Sequence, residues 1–545
     1  PEAVGTVDQA LRAALDVKFG LLRLLGLSSK VLIIDEVHAY DEYMTVLMER
    51  LLEWLSVLRV PVILLSATLS FEQKRRLVEA YRGADVLPRP QGEAEPYPLL
   101  TFVPLQGAPV IVPVDRDPDR DREIEVHLRP GLLGDPSGIA DLAANLVSDG
   151  GCACVLLNTV KSAQAVFRQL RRLRDEGKVD LDTQLILFHA RFRAGRRDQI
   201  ERKVLSLFGK DAGPDTNPGR PERAILCATQ VVEQSLDVDF DVLISEIAPV
   251  DLLLQRCGRV YRHERGPRKT GPAPRLYVLL PPEGSFDFGS TGFVYQEEPL
   301  LRTVAILVGR EQSSDETDPT TTIRLPDEFR PLIESVYGGR PIPAGIIEED
   351  TLLRAREKRQ EKLDDARHKA KIHLNPAPSV EGFTLAENDH FPADDAEENE
   401  RADYFHAQTR LGDDSRRALI LHDDWLLNAA RSENPPSRAV LKQLFLQQAG
   451  IPTWWLRDVR AEDGSEPFSA SPKWLRGPVI LPMRDGAWRG VNNKGEAVVI
   501  RDLARDSGAK WEENEIGLTY HVGEDGGEVA TNDIDDESED EDGGV

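Results

Sequence analysis

Apolar residues along this chain follow two alternating rhythms, and their succession predicts an α/β protein. Val7, Leu11, Leu15, Phe19 and Leu22 recur at helical spacing and predict a helix over residues 6–25. The four apolar residues from Val31 to Ile34 then read as a strand buried on both faces, as in a parallel sheet. A long helix is expected over 41–59, a second apolar strand over 60–65 and another helix over 71–82. Strand, helix and strand in that order form a right-handed βαβ unit by default. Residues 84–121, rich in Pro and Asp, read as a connector.

A second alternation follows, with apolar strands expected over 152–159, 183–190, 223–229, 240–247 and 275–280 and helices between them. This is the pattern of a second doubly wound domain, interrupted at 211–221 by Gly and Pro as a surface loop would be. Beyond Pro281 the periodicity weakens. Helices are expected at 296–310 and 346–372, the latter of mixed charge and so solvated or spanning a groove. Trp425, Trp454, Trp455, Trp474, Trp488 and Trp511, six of the seven tryptophans, cluster late in the chain. They read as the core of a small mixed domain in preference to base-stacking platforms. The expected organisation is a first α/β layer over 1–83, a connector over 84–123 and a second α/β domain over 124–285. A linker with the long charged helix over 286–375, an acidic linker over 376–415, a C-terminal accessory domain over 416–522 and a disordered acidic tail over 523–545 complete it.

Charge modifies this picture. The 545 residues carry a net charge of −26, which by itself argues against a nucleic-acid partner. Eleven carboxylates, with no Lys or Arg among them, lie between Glu524 and Asp542, and eight more between Glu387 and Asp403 face only Arg401. Such segments cannot bury enough apolar area to fold, so the acidity is segmental. Basic residues cluster at 168–174, 191–203 and 256–269, which leaves room for a basic groove. Cys152, Cys154, Cys227 and Cys257 lie in or beside apolar segments without paired CxxC spacing and read as buried small hydrophobes. No apolar run is long enough to span a membrane and no signal pattern opens the chain, so a cytoplasmic protein is expected. The chain begins at Pro1 in place of Met, which reads as a processed or split product.

Candidate chemistry starts at the end of the first strand, in Asp35-Glu36-Val37-His38. A parallel strand that delivers two carboxylates to its C-terminal end puts them where ligands bind in open α/β sheets. The pair could simply cap the strand. In a nucleotide motor the first carboxylate holds Mg²⁺ and the second positions the attacking water, because phosphoryl transfer needs charge neutralisation and in-line geometry. Ser66-Ala67-Thr68 ends the next strand, close enough for its hydroxyls to bond His38. In the second domain ATQVVEQSLDVDFD follows a strand and places Asp237 towards the nucleotide. QRCGRVYR, from Gln255 to Arg262, spaces arginines three apart, as if on one helical face suited to phosphate oxygens.

In this order the motifs resemble those of superfamily 2 helicases. With VGTVDQAL, KVLIIDEVHAYDEYM, LLNTVKSAQ, FHARF and LLLQRCGRVYRH the chain is more specifically similar to the CRISPR-associated helicase-nuclease of type I systems, in the subtype recruited by the Cascade complex of the I-E class. The resemblance is specific over residues 1–280 and looser beyond. It implies tandem RecA-like domains of superfamily 2, the first incomplete, followed by a linker helix and an accessory domain. It implies an ATP-dependent enzyme that moves 3′ to 5′ on single-stranded DNA and unwinds and degrades the displaced strand of an RNA-guided R-loop. By the same resemblance Asp35 holds Mg²⁺, Glu36 orders the hydrolytic water, His38 with Ser66 and Thr68 couples hydrolysis to movement, and Arg259 and Arg262 act as fingers. Asp237 and Gln255 touch the nucleotide region. Thr6, Gln9, Asn158, Thr159, Lys161, His189, Arg191 and Thr229 sit in segments that track the DNA backbone.

The sequence also departs from the family pattern. It contains no GxxxxGK[ST] phosphate loop, and its His-Asp dipeptide, His422-Asp423, lies far from any histidine cluster. Nuclease activity and nuclease-site transition metals are therefore not expected in this chain alone. The expected partners are an N-terminal portion with the nuclease and phosphate loop, the Cascade complex with its guide RNA, and single-stranded DNA. Another superfamily 2 DNA or RNA helicase, or a non-catalytic DNA-binding or docking subunit with retained motifs, are the rival readings.

Overall fold

A computed structural model describes residues 3–17, 19–88, 97–115, 121–212, 219–233, 236–310, 319–378, 415–461, 478–494, 496–503 and 517–522, together with Leu475. Both acidic segments, the tip of the 211–221 loop, Trp474 and Trp511 lie outside the described residues. The chain forms two compact units, one of residues 1–139 with 240–412 and the other of 140–239 with 413–545.

In the first unit the strand Leu32–Ile34 pairs in parallel with Val62–Leu64. Between them runs the helix Glu42–Val57, started by the Asp41 carboxylate accepting from the Met44 amide at 2.8 Å. The helix Phe71–Arg82 follows, with a Ser70/Gln73 capping box at its start and Gly83 in the left-handed region (φ 73°) at its end. Leu47, Met48, Leu51 and Leu55 are fully buried in this core. The expectation of a strand covered on both faces is corrected: Ile33 is 60 % and Ile63 45 % exposed. Among the described residues this sheet has only these two strands, and helices cover one side of it.

The single helix expected over 6–25 is also corrected. It is two, Val7–Leu11 and Gly20–Leu27. Residues 13–16 instead bond the end of a distant helix: the Asp16 amide donates to His373 O at 2.9 Å and the Asn375 amide to Ala14 O at 2.9 Å. Tertiary hydrogen bonds thus replace helical ones, and Phe19 turns the chain with φ 68°. The distant helix is the charged one, Glu349–His373, which buries only Ala355 and Ala370. It is tied to the helix after the DExH segment by Arg367, whose Nε lies 2.7 Å from Glu42 Oε1.

The first unit also holds four strands in the order Thr320–Leu325, Arg122–Arg129, Arg275–Leu279, Val242–Glu246, the first antiparallel and the rest parallel. The edge strand Thr320–Leu325 and a hairpin of Leu99–Phe102 with Val110–Pro113 were not legible as strands in the sequence. Both rest on pairing with residues distant in the chain or on short alternating stretches among prolines.

In the second unit Gly151–Leu156, Arg223–Ala228 and Gln184–Phe188 run parallel in that order, with Val160–Asp175 and Ala194–Phe208 as their helices. The C-terminal part adds a three-stranded sheet (Gln448–Pro452, Ser415–Leu421, Val479–Pro482) and a four-stranded antiparallel one (Val459–Ala461, Ala487–Asn492, Ala497–Asp502, Leu518–Val522). Trp455 and Trp488 lie in the core between these strands, whereas Trp425 and Trp454 are about half exposed. The aromatic cluster is therefore core only in part.

Candidate functional site

The short parallel pair positions the first set of candidate residues. Its ladder runs past the last paired residues, with Leu65 N donating to Ile34 O at 2.9 Å and Val37 N to Leu65 O at 3.1 Å. Each strand end is thereby held beside the other, which brings Asp35 to His38 next to Ser66. Asp35 Oδ1 accepts from the Glu36 amide at 2.9 Å. Glu36 itself sits in the left-handed region at φ 54°, ψ 43°, a conformation that costs a non-glycine residue about 1 kcal/mol. That turn ends the strand sharply and leaves both carboxylates exposed.

His38 is bracketed. Its Nδ1 shares a hydrogen bond of 3.0 Å with Ser66 Oγ, and its Nε2 lies 3.3 Å from Glu36 Oε2. The ring is thus set between a hydroxyl at one nitrogen and a carboxylate at the other. The expected bond between Thr68 and His38 is not made. Thr68 is buried, and its hydroxyl has no hydrogen-bond partner among the described residues.

The QRCGRVYR segment corrects the sequence reading. Its helix, Val250–Cys257, stops before Gly258, so Arg259 and Arg262 do not share a helical face with Arg256. Residues 259–261 instead bond alongside Phe240, whose amide donates to Arg259 O at 2.9 Å and whose carbonyl accepts from Tyr261 N at 3.0 Å. Extended pairing has replaced helical bonding there. Arg256 is buried and structural: it donates to Ser245 Oγ at 2.6 Å, to Glu246 O at 3.0 Å and to Tyr295 Oη at 3.2 Å. Arg262 is exposed and Arg259 half-buried. The Gln255 amide nitrogen is buried without a hydrogen-bond partner among the described residues.

Asp251, in the first turn of the same helix and offered by the sequence as a partner for the basic residues of that segment, is held by a tyrosine. The Tyr337 hydroxyl donates to its Oδ1 at 2.6 Å. Burial pushes the Asp251 carboxyl above its ordinary range, opposed by that hydrogen bond and by the charge of His38. The guanidinium of Arg359, on the long charged helix, stands 5.7 Å over the Tyr337 ring. No spacing rule joins residues 251, 337 and 359, so only the fold could reveal them.

The nucleic-acid candidates divide between the units. In the first, Thr6 and Gln9 are exposed at the start of Val7–Leu11, with Gln9 Oε1 accepting from Arg23 at 3.0 Å. In the second, Lys161 is exposed, as is the nucleotide-region candidate Asp237, and Thr159 caps the helix Val160–Asp175 through the Ser162 amide at 3.1 Å. Asn158 and Thr229 are buried at strand ends. His189 is buried at 0 % exposure and stacks on Phe192 at 4.4 Å, so its ring touches protein in place of a solvent-borne strand. Arg191 lies over Trp455 at 4.9 Å, and burial pulls its pKa down to about 10.

The α/β architecture and these strand-end motifs define a tandem RecA-like protein of helicase superfamily 2. Within that class the chain is a counterpart of the helicase portion of the Cas3 family. Residues 149–265 match the family described as CRISPR-associated nuclease/helicase Cas3, C-terminal. The CRISPR-associated endonuclease/helicase Cas3 of Thermus thermophilus is 35 % identical over 453 residues, which cover 76 % of this chain and 46 % of the relative. This chain thus spans less than half of that relative's length. The crystal structure of T. fusca Cas3 with AMPPNP superimposes with a TM-score of 0.72 at 30 % identity, covering 95 % of this chain and 57 % of the other. A chain from a CRISPR RNA-guided surveillance complex in a pre-nicking state gives a TM-score of 0.67 at 29 % identity, covering 95 % and 60 %.

Proposed function

We propose that this chain is the DExH half and second motor domain of an ATP-driven, 3′-to-5′ single-stranded DNA translocase of type I CRISPR interference, of the I-E class. It acts in the cytoplasm on the displaced strand of target DNA held by Cascade and its guide RNA. The observation that carries the reading is the bracketed His38, poised between Glu36 and Ser66 at the exposed end of a parallel strand. The AMPPNP-bound relative supports ATP as the nucleotide and the surveillance-complex relative supports Cascade as the partner.

The residues suit Mg²⁺ held by one carboxylate together with nucleotide phosphates, the usual way this ion is bound. Asp35, exposed and oxygen-donating, is the residue that would hold it. The ion supplies neutralisation of phosphate charge when bound. Glu36 orients the attacking water and can accept its proton. Arg259 and Arg262 supply positive charge for the γ-phosphate, and the orphaned Gln255 amide and Thr68 hydroxyl gain partners when the nucleotide site is filled. The phosphate-loop contacts come from residues outside this sequence, which has no GxxxxGK[ST]. An added strand-bearing segment would also cover the exposed Ile33 and Ile63 face.

The test is ATP hydrolysis by the chain combined with the polypeptide that supplies the phosphate loop, with single-stranded DNA, with single-stranded RNA and without either. Mg²⁺-dependent stimulation by DNA is expected. Equal stimulation by RNA, or none by DNA, overturns the reading.

A further inference from the structure

Within the second unit, the C-terminal strands are built onto the segment joining Gln184–Phe188 to Ala194–Phe208. Several contacts tie the two. Leu518 N donates to Arg191 O at 3.3 Å, and Leu518 O accepts from Gln164 Nε2 at 3.2 Å, a nitrogen that also lies 3.5 Å from His189 Nε2. Gly517, with φ +78°, passes so close that a Cβ there would stand 2.8 Å from His189 Cε1. Trp455 receives the Arg191 guanidinium on its face. Asp502, whose side chain is 1 % exposed, sets its Oδ2 3.0 Å from Arg193 Nε and 2.8 Å from His422 Nε2. Arg193 also donates to Gln447.

A buried carboxylate is stable only when its charge is met by such partners, and losing one leaves the others uncompensated. Asp502 therefore joins three separate stretches of chain: its own strand, the start of Ser415–Leu421's following loop and the entry to the Ala194–Phe208 helix. The glycine at 517 is required twice, by its left-handed backbone and by the lack of room for a side chain.

We propose that the C-terminal strands act as a clamp that fixes the 189–193 segment, with Asp502 as the positioning residue at its centre. His189 and Arg193 then contribute to nucleic-acid grip by being held, and they shape the backbone of the segment without touching the strand. This rests on the reading of the protein as a single-stranded DNA motor, and it assigns the accessory domain a task within that reading.

The test compares wild type, Asp502→Asn and Gly517→Ala in three measurements. These are affinity for a fluorescent single-stranded oligonucleotide, ATP hydrolysis without DNA in the reconstituted enzyme, and amide hydrogen exchange at residues 189–193. Each variant should weaken oligonucleotide affinity about ten-fold and speed exchange at 189–193, with DNA-free hydrolysis and far-ultraviolet circular dichroism unchanged. Gly517→Ala reaches the segment without altering Asp502, so agreement between the two separates the clamp from a local loss of charge. A wild-type chain that binds no oligonucleotide overturns the DNA-motor reading. A wild type that binds, with both variants binding equally well and exchanging at the same rate, overturns the clamp alone.

Discussion

His38 Nδ1 and Ser66 Oγ stand 3.0 Å apart although 28 residues separate them in sequence. One bond thus connects the end of the first strand to the end of the second, and it fixes the ring that also faces Glu36. Removing the hydroxyl should leave chemistry nearly intact and break its transmission. For Ser66→Ala we expect DNA-stimulated ATP hydrolysis within about three-fold of wild type and duplex unwinding reduced about ten-fold, a loss of one hydrogen bond's magnitude. Parallel loss of both activities would show that the serine serves the ATP site itself.

Glu36→Gln keeps the shape of the side chain and removes its capacity to take a proton. ATP hydrolysis should fall at least about 100-fold, in the range of a lost general base, with nucleotide affinity unchanged. The measurement is single-turnover hydrolysis beside binding of a fluorescent nucleotide. A fall of less than about three-fold would move the water-positioning role to another residue.

Asn375, 2 % exposed, carries the contacts that break the expected N-terminal helix. Its Nδ2 donates to Ala13 O at 2.9 Å and its Oδ1 accepts from Trp54 Nε1 at 3.1 Å. Asn375→Ala should cost about 2 kcal/mol in urea unfolding, since Ala13 O loses a buried partner while Trp54 keeps Pro376 O. A cost below about 0.5 kcal/mol would mean that the segment is held chiefly by its backbone bonds.

Asp251 gives a pH dependence with a defined sign. Burial raises its folded pKa above the ordinary 3.8, so the folded state binds the proton more tightly than the unfolded state does. Its contribution to stability is complete below 3.8 and is lost as pH rises through the raised value. Relative to wild type, Asp251→Asn should therefore gain stability as pH rises from 3.5 to about 7, read from urea midpoints at each pH. The opposite trend would show that the Tyr337 hydroxyl and the His38 charge outweigh burial.

Much of the architecture was legible from local pattern. The helix Phe71–Arg82 was expected over the same residues, and the five apolar strands of the second alternation appear where runs of Val, Ile, Leu and Cys place them. Short apolar runs bounded by polar residues carry their own burial signal. The N-terminal helix was misread because periodicity cannot register hydrogen bonds to residues 373–375. The arginine spacing misled for a related reason: Gly258 and pairing with Phe240 end the helix at Cys257, before Arg259 is reached.

By itself the sequence determined the strand-helix-strand run of residues 31–82 and the five apolar strands of the second alternation, the carboxylate pair at a strand end and the serine that meets His38, because each depends on residues adjacent in the chain or on one strand pair. The tertiary structure alone decided that His189 is enclosed, that Asp502 joins Arg193 to His422, and that Tyr337 holds Asp251. Those contacts link residues far apart in the chain, and they hold because each buried charge or polar group meets a partner that offsets the cost of excluding water, a match no linear pattern reveals.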